Sequence, residues 1–313
     1  MKSLLLNILI CPACLPRESR LTCRVIKKRG DDVLSGFLQC GSCNARYVIE
    51  DGIAVLLPGP YSADQDISSR YERPSLVSSY LWSHYADLFD DIDASAAYGQ
   101  WAKLMEYNAG FSLDAGCAVG RFTFEMTEKS DFVIGIDYSH AFIRKARRLM
   151  IERQLKFSIP EEGALTEDKT ITLPEKWKSD RVEFIVADAQ HPPFRADFFS
   201  SLASLNLIDK VPFPLMHLKE INRVAKKRQA RFLFSDPFSW SSDIAMKKDW
   251  LGGTADGEYG GKGIDNVAAL LTGKKGGLLP PWKIGKKDHV WWKIRNHKNH
   301  FELIRSYFIK AAR

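Results

Sequence analysis

The stretch "SLDAGCAVGRFTFEMT", residues 112–127, holds an acidic residue, then two glycines, then a run that can begin a helix. A dinucleotide-binding loop needs glycines in the pattern G-x-G-x-x-G, so that the backbone closes on a pyrophosphate. Here only Gly116 and Gly120 are present, without the Gly-Lys-Ser/Thr ending of a P-loop. Asp114, just before the first glycine, would repel a phosphate. The loop therefore favours a ligand that carries a positive charge.

The composition indicates a globular protein that can bury a sizeable core, because 45% of its 313 residues are hydrophobic and 12% are aromatic. The opening "MKSLLLNILIC" is a poor lipoprotein signal, since Asn7 interrupts its apolar run and Ile10 instead of a small residue precedes Cys11. We predict that this segment is the first strand of a domain. No stretch approaches the ~18–20 apolar residues of a membrane helix, so we expect a soluble, cytoplasmic protein.

The net charge of +7 is distributed unevenly along the chain. Residues 1–60 carry eight Lys and Arg against five Asp and Glu, whereas residues 271–313 carry eleven against two. A basic tail of this kind can meet nucleic acid or an anionic small molecule, and it can equally be a solvated face.

Four cysteines form two C-x-x-C pairs, Cys11 with Cys14 and Cys40 with Cys43. Each pair can place two thiolates on a tight turn, and together they offer zinc a tetrahedral site. The residues between and after the pairs alternate like short strands, with a hairpin turn at Asp51-Gly52. About 60 residues without a large core need such a metal for stability. Two disulfides or a redox motif are the alternatives, and we expect Cys23 to be a spare buried thiol.

The motifs "LICPAC" and "FLQCGSCNARYVIEDGIAVLLP" resemble the short zinc-ribbon proteins that bind and activate methyltransferases acting on tRNA, rRNA and release factors. Those proteins are separate chains, whereas here the ribbon is fused to a larger C-terminal region. The resemblance implies a structural zinc with four thiolate ligands and no open coordination position.

A polar linker, residues 58–69, separates the ribbon from a second domain, which gives domains over residues 1–60 and 61–313. Two amphipathic segments come after the linker and predict helices. Strands such as "GFSLDAG", "DFVIGID", "VEFIVAD" and "ARFLFSD" then alternate with helical segments. This pattern predicts an α/β fold with a doubly wound, Rossmann-like sheet, preceded by a small β zinc ribbon.

Three acidic residues, Asp114, Asp137 and Asp188, each end a predicted strand. The carboxyl ends of parallel strands meet at one edge of a sheet, where ligands bind. There Asp137 can accept both ribose hydroxyls of an adenosine, while Asp188 takes the adenine amino group and the Ala189 N–H meets a ring nitrogen. Asp114 lies beside the glycine loop, where a cationic methionyl tail fits against the backbone. The ordered set predicts S-adenosylmethionine as the ligand.

Over nearly its whole length this region resembles class I methyltransferases, and an inactive copy of that fold is the alternative. The resemblance implies a larger set of cofactor-binding residues: Asp114, Ala115, Gly116, Cys117, Gly120, Asp137, Tyr138, Asp188, Ala189 and Asn206.

Idiosyncratic motifs between residues 79 and 253 narrow the resemblance: "SYLWSHY", "IPEEGALTE", "LNLIDKVPFP", "FSDPFSW" and "DWLGG". They resemble the methyltransferase domain of ovothiol synthesis, which methylates a ring nitrogen of a thiol-bearing histidine. The resemblance implies an acceptor nitrogen or sulfur on a small thiol-imidazole-like metabolite. The chain departs from the pattern at "KKRQA", at Asp236, and by carrying a zinc ribbon.

Methyl transfer from a sulfonium requires orientation and charge complementarity more than a dedicated base, so we identify no catalytic residue. The residues expected around the acceptor are Tyr80, His84, Tyr85, Asn206, Asp209, Asp236, Trp240 and Trp250. A core or capping role is an open alternative for each, and His84 in particular could be a satisfied buried histidine.

Two other functions stay open. In the first, the ribbon and the basic tail make the enzyme a methyltransferase of RNA or of a translation factor, with Trp291 and Trp292 as stacking platforms. In the second, the protein is a non-catalytic scaffold that binds S-adenosylmethionine. We favour the small acceptor, with the tail folded beside the strand ends so that Trp291, Trp292 and His297 help to close a pocket.

Overall fold

The computed structural model describes residues 1–59 and 70–313, so most of the predicted linker, with the predicted domain boundary, lies outside the described residues. The ribbon is built from four antiparallel strands: β1 Leu21–Arg29, β2 Asp32–Cys40, β3 Arg46–Glu50 and β4 Ile53–Leu56. β3 and β4 are joined at Asp51 and Gly52, whose φ angles are +48° and +75°. This is the predicted hairpin turn, at the place where the chain needs left-handed backbone.

The prediction that the first eleven residues form a strand is wrong. Ser3–Asn7 is a 3₁₀-helix, flanked by isolated bridges from Lys2 to Asp32 and from Ile10 to Arg20. Leu5, Ile8 and Leu9 are buried, which is the three-and-four spacing of a helical turn and not the alternation of a strand.

The second region contributes seven strands to a central sheet: β5 Phe111–Ala115, β6 Phe132–Asp137, β9 Val182–Ala187, β10 Ser201–Leu205, β11 Arg231–Asp236, β12 Lys283–His297 and β13 His300–Ala312. Their order is β9-β6-β5-β10-β11-β13-β12, and β13 runs antiparallel to both of its neighbours. The doubly wound sheet is confirmed, and the C-terminal tail is a packed strand.

The ribbon and this sheet are continuous. β4 pairs in parallel with β9, with Val55 opposite Val186 and Leu56 opposite Ala187, so the complete sheet has eleven strands. A separate hairpin of β7 Gln154–Glu162 and β8 Leu165–Thr172 holds the motif "IPEEGALTE". The two predicted domains therefore share one sheet.

Helices cover both faces of the sheet. The six with described bounds are α1 Pro74–Tyr85, α2 Ala97–Leu104, α3 Arg121–Glu125, α4 His140–Glu152, α5 Pro214–Val224 and α6 Gly263–Leu271. Side chains of α1 to α4 belong to one buried cluster, and those of α5 and α6 join Leu5 and Leu9 in the other. None of the described helices is long and apolar enough to cross a membrane.

Candidate functional site

A cavity of about 540 Å³ opens at the carboxyl ends of β5, β6, β9 and β10. Nine of the residues predicted from the sequence line it: Tyr80, His84, Gly116, Asp137, Tyr138, Asp188, Ala189, Asn206 and Trp292. The volume is within the ~300–1,000 Å³ typical of small-molecule sites. The cavity therefore lies at the edge of the sheet where the strand-end rule predicts a ligand.

The glycine loop follows β5 and turns directly into α3. Gly116 and Gly120 have φ angles of +78° and +86°, which favour glycine. A Cβ on Gly120 would lie 2.7 Å from the buried Phe184 ring, and one on Gly116 would lie 2.9 Å from Leu207. Gly116 lines the cavity and Gly120 does not, so packing beneath the loop explains the second glycine.

Asp137 ends β6 and is held rigidly at the cavity wall. Its Oδ2 accepts the Ala118 N–H and its Oδ1 accepts the Ser139 N–H, each at 2.9 Å. Burial raises the pKa of this carboxyl to about 6, so it is mainly ionised at neutral pH. Each oxygen keeps acceptor capacity for a ligand hydroxyl.

Asp188 follows β9 and is also fixed by hydrogen bonds, which come from Gln190 and His191. Its Oδ1 accepts the Gln190 N–H at 2.8 Å, and its Oδ2 lies 2.8 Å from His191 Nδ1. Burial opposes ionisation, but these hydrogen bonds outweigh it and lower the pKa of Asp188, while they raise the pKa of His191. This side of the cavity therefore carries a stable negative charge.

Asp114 lies below the cavity and is not part of its wall. It is 2% exposed, and its Oδ2 accepts the Thr123 hydroxyl at 2.7 Å, which ties β5 to α3. Burial raises its pKa to about 7. Ala115 and Cys117 are buried beside it and do not line the cavity either.

Asn206 directly follows β10 and has a φ of +56°, an uncommon angle for a residue other than glycine. Both its amide oxygen and its amide nitrogen are inaccessible to solvent and have no hydrogen-bond partner among the described residues. Unpaired amide atoms at a cavity wall fit a site whose ligand completes their hydrogen bonds.

Aromatic rings form one wall of the cavity. Tyr80 packs against Phe142, Tyr71 and Trp292, with ring centroids 4.7, 6.1 and 6.2 Å apart. Tyr98 also lines the cavity. Tyr80 and Trp292 were predicted from the sequence, whereas Tyr71, Tyr98 and Phe142 were missed, although the aromatic residues within "SAAYGQW" and "SHAFIRK" were visible.

Asp209 and Asp236 lie behind the cavity. The Asp236 Oδ2 accepts the Ile208 N–H at 2.9 Å, and the Asp209 Oδ2 accepts the Ser239 N–H at 2.7 Å and pairs with Lys210 at 3.1 Å. Burial raises the pKa of both carboxyl groups. The two acids hold the turn after β10 and do not face the cavity.

Three aromatic residues expected at the acceptor lie elsewhere. Tyr85 points away from the cavity and donates its hydroxyl to the Val119 carbonyl at 2.8 Å. Trp240 and Trp250 stack on each other at 6.1 Å, outside the cavity wall, in the segment after β11. None of the three lines the cavity, so the prediction that they surround an acceptor there is wrong.

Only one of the three tail residues expected to close the pocket does so. Trp292 lines the cavity and is 5% exposed, whereas Trp291 is 41% exposed and lies under the Arg305 guanidinium at 4.5 Å. His297 packs against His300 at the end of the hairpin.

The four cysteine sulfurs lie within 4.8 Å of one another. The Cys11–Cys43 sulfur distance is 3.6 Å and the Cys14–Cys40 distance is 3.8 Å. A tetrahedral zinc with Zn–S bonds of about 2.3 Å places its sulfurs about 3.8 Å apart. A disulfide would need about 2.05 Å, and all four thiols are free. The cluster therefore fits zinc and not two disulfides, and Cys23 is a separate, partly buried thiol.

Family comparison agrees with this topology. Residues 113–232 match the family model of a methyltransferase domain, and residues 2–52 match that of Trm112p-like proteins. The chain is an S-adenosylmethionine-dependent methyltransferase. A comparison with curated proteins gives no match.

Solved structures share the fold at low identity. The [4+2]-cyclase SpnF is 12% identical over 81% of this chain and 98% of its own, with a TM-score of 0.50. A chain from the complex between the Haloferax volcanii Trm112 methyltransferase activator and a methyltransferase is 13% identical over 80% of this chain and 99% of its own, with a TM-score of 0.45. A methyltransferase from Methanosarcina mazei is 20% identical over 64% and 91%, with a TM-score of 0.41. Only the first of these reaches a TM-score of 0.50, and from it we take the fold alone.

In this methyltransferase the ribbon contacts the loop that comes after Asp188. The Ile10 N–H donates to the Pro193 carbonyl at 2.9 Å, and the Arg195 N–H donates to the Ile8 carbonyl at 3.1 Å. Ile10 directly precedes the first cysteine of the cluster. The fold of the ribbon therefore supports one wall of the cavity.

A buried ionic cluster joins the same two parts. Arg147 on α4 pairs with Glu183 on β9, and its Nη2 lies 2.6 Å from an oxygen of Asp32 in the ribbon. A Cβ on Gly52 would collide with this guanidinium, so the turn between β3 and β4 needs glycine. Breaking a buried pair on one side costs about 3–5 kcal/mol, so the cluster fixes how the ribbon docks.

Proposed function

We propose that the enzyme transfers a methyl group from S-adenosylmethionine to a nitrogen or sulfur of a small, flat, thiol-imidazole-like metabolite. The observation that carries the proposal is the wall of aromatic rings, which narrows a cavity of about 540 Å³ beside the strand ends. Such a wall suits one planar ring, because aromatic faces stack on flat heterocycles. Two of the motifs that resemble the ovothiol methyltransferase, "SYLWSHY" and "LNLIDKVPFP", contribute residues to this cavity.

The donor occupies the strand-end side of the cavity in this proposal. Asp137 accepts the ribose hydroxyls, and Asp188 with the Ala189 N–H holds the adenine. Gly116 and Asn206 face the methionyl part. The negative charges of Asp137 and Asp188 complement the positive sulfonium, which supplies the methyl group.

The acceptor then lies between the aromatic rings and Lys210, the one Lys or Arg among the described residues of the wall. The protein contributes mainly by orientation, because holding nucleophile and methyl carbon in line removes most of the entropic barrier. The aromatic faces also stabilise a nearby cation.

RNA or a translation factor is the second candidate, because the Trm112p-like region is compatible with such an acceptor as well as with a small one. The basic tail supports it weakly, since several of its lysines already pair with acids: Lys287 with Asp265 at 2.9 Å and Lys310 with Glu106 at 2.8 Å. Trp292 is buried in the wall of the cavity, so it is not an exposed platform on which a base can stack.

We also propose that Cys11, Cys14, Cys40 and Cys43 hold one structural zinc. The four sulfurs fill the tetrahedral set, so the ion stabilises the ribbon and has no role in the chemistry.

Isotope transfer tests the proposed function. The enzyme is incubated with methyl-labelled S-adenosylmethionine and, separately, with a metabolite extract, total RNA and a protein extract. We expect label in a small nitrogen- or sulfur-methylated compound. Label confined to RNA or protein would overturn the proposal, and donor binding without transfer to any pool would instead support a scaffold.

A further inference from the structure

His84 and Tyr98 form a buried pair in the cavity wall. They come from α1 and α2, are 2% and 7% exposed, and both line the cavity. The Tyr98 hydroxyl lies 2.6 Å from His84 Nε2, and the two rings stack with centroids 4.0 Å apart. The imidazole is therefore held in one orientation by a hydrogen bond and by stacking.

The other ring nitrogen of His84 is unpaired. Nδ1 is inaccessible to solvent and has no hydrogen-bond partner among the residues that the structure describes. A buried polar atom without a partner costs about 1–3 kcal/mol. His84 lines the cavity through other atoms of the residue, so a bound ligand can supply the missing partner once it displaces the groups that cover Nδ1.

The surroundings keep the ring neutral. Burial and the nearby Arg121 guanidinium lower the pKa of His84 well below its ordinary value. Arg121 Nη1 donates to the His84 carbonyl at 2.8 Å, and its charge is balanced by Asp87 and Glu125. The other titratable groups near the pair are Tyr80, Tyr85 and Asp114. A neutral imidazole with a free nitrogen can accept a proton.

We propose that His84 Nδ1 is the general base that takes the proton of the methyl acceptor, with Tyr98 as the positioning residue. The inference rests on the proposed function, because it requires an acceptor in this cavity that carries an N–H or S–H group. It adds a catalytic residue to a site whose other residues orient the donor and the acceptor.

Atoms and electrons balance in this step. The N–H or S–H bond of the acceptor breaks, and its proton bonds to Nδ1. The electron pair of the acceptor forms the new bond to the methyl carbon, and the pair of the broken carbon–sulfur bond stays on the donor sulfur. Nε2–H donates to the Tyr98 oxygen throughout. The imidazolium formed beside Arg121 is unfavourable, so the proton passes to solvent when the product leaves.

The tautomer of His84 can be measured without knowing the acceptor. The full chain is labelled with ¹⁵N-histidine and saturated with S-adenosylhomocysteine, and His84→Gln assigns the signal among the seven histidines. We expect a proton on Nε2 and none on Nδ1. A proton fixed on Nδ1 would make His84 a donor and overturn the proposal.

Kinetics supply the second test, with 2-mercaptoimidazole as the acceptor probe. His84→Gln keeps a group that can bond Tyr98 and loses Nδ1, so we expect kcat to fall roughly 100- to 10,000-fold and the acidic limb of its pH profile to disappear. Tyr98→Phe should lower kcat about tenfold, and its pH profile should keep the acidic limb, because His84 is still present. His300→Gln, an exposed histidine, is the matched control.

The affinity for the donor distinguishes a general base from a residue that only binds the donor. We expect His84→Gln to change the Kd for S-adenosylmethionine less than threefold. If His84→Gln weakens donor binding and leaves kcat unchanged, His84 holds the donor and is not a base. If the wild-type enzyme methylates RNA and not the probe, the proposed function fails, and the tautomer measurement still decides whether Nδ1 can act as a base.

Discussion

Replacing Asp137 with alanine tests where the donor binds. The Ala118 and Ser139 N–H groups fix this carboxylate at 2.9 Å each, and both of its oxygens keep a lone pair for a ribose hydroxyl. A hydrogen bond to a charged group contributes about 1.5–3 kcal/mol. Losing this contribution weakens binding about 10- to 100-fold, since about 1.4 kcal/mol corresponds to a factor of ten.

Calorimetry with S-adenosylmethionine measures the effect. Asp131→Ala is the matched control, because that exposed aspartate bonds Tyr107 and the Gly110 N–H at the opposite end of β6. An Asp137→Ala affinity equal to that of the control would refute the placement of the donor.

The raised pKa of Asp137 adds a pH dependence to the same experiment. The carboxyl is ionised above a pH of about 6 and protonated below it. Affinity present at neutral pH is therefore lost as the pH falls, by about tenfold at one pH unit below the pKa. Asp137→Asn should bind more weakly and without this dependence. An equally steep pH profile in the Asn variant would assign the titration to another group.

The ribbon and the aromatic wall give three further predictions. Cys40→Ser should lose the zinc seen by metal analysis and lower the melting temperature by roughly 10 °C or more, whereas retention of metal and melting temperature would contradict the site. The same variant should weaken donor binding in calorimetry, since Ile10 holds the loop after Asp188; unchanged affinity would show that the ribbon does not support the cavity. Trp292→Ala should raise the acceptor KM at least tenfold, while Trp250→Ala leaves it unchanged, and the reverse pattern would move the acceptor away from the aromatic wall.

The residues proposed to hold the donor could be picked out from the sequence because they lie at or directly after the ends of buried strands. Asp137 ends β6 and Asp188 directly follows β9, and parallel strands bring their carboxyl ends to one edge of the sheet whatever the loops do. Asp114 ends its strand too, but its side chain turns toward Thr123 on α3. The end of a strand therefore predicts that an aspartate lies at the carboxyl edge of the sheet, but it does not predict the direction in which the side chain points.

The acceptor side was less predictable because it is assembled from distant segments. Tyr71 and Tyr98 come before the first strand of the second region in the chain, yet they line the cavity at the ends of the later strands. The periodicity of the local sequence does not predict this placement. Trp291 and Trp292 are neighbours on one strand, so alternation sends one outward and one into the cavity, and only the pairing with β13 decides which. Over the first eleven residues the apolar run is nearly continuous, so its helical period is hard to distinguish from a buried strand.

The contacts between the ribbon and the second region could not be predicted from the sequence. The cysteine spacing of the ribbon predicted the metal cluster, but nothing local indicates that β4 pairs with β9 or that Asp32 meets Arg147. The shared sheet couples the ribbon to the second region. Long-range pairing of this kind depends on the whole fold.

The salt dependence of methyl transfer tests the central claim, a small acceptor in an aromatic cavity, most directly. Transfer from labelled S-adenosylmethionine is measured between about 50 and 200 mM salt with metabolite extract and with RNA. We predict transfer to a small compound that changes less than about threefold, because its binding neutralises few charges. An RNA acceptor that uses six to ten phosphate contacts would lose about 10³- to 10⁵-fold in affinity over this range. Methylated nucleosides whose yield collapses with salt would contradict the claim.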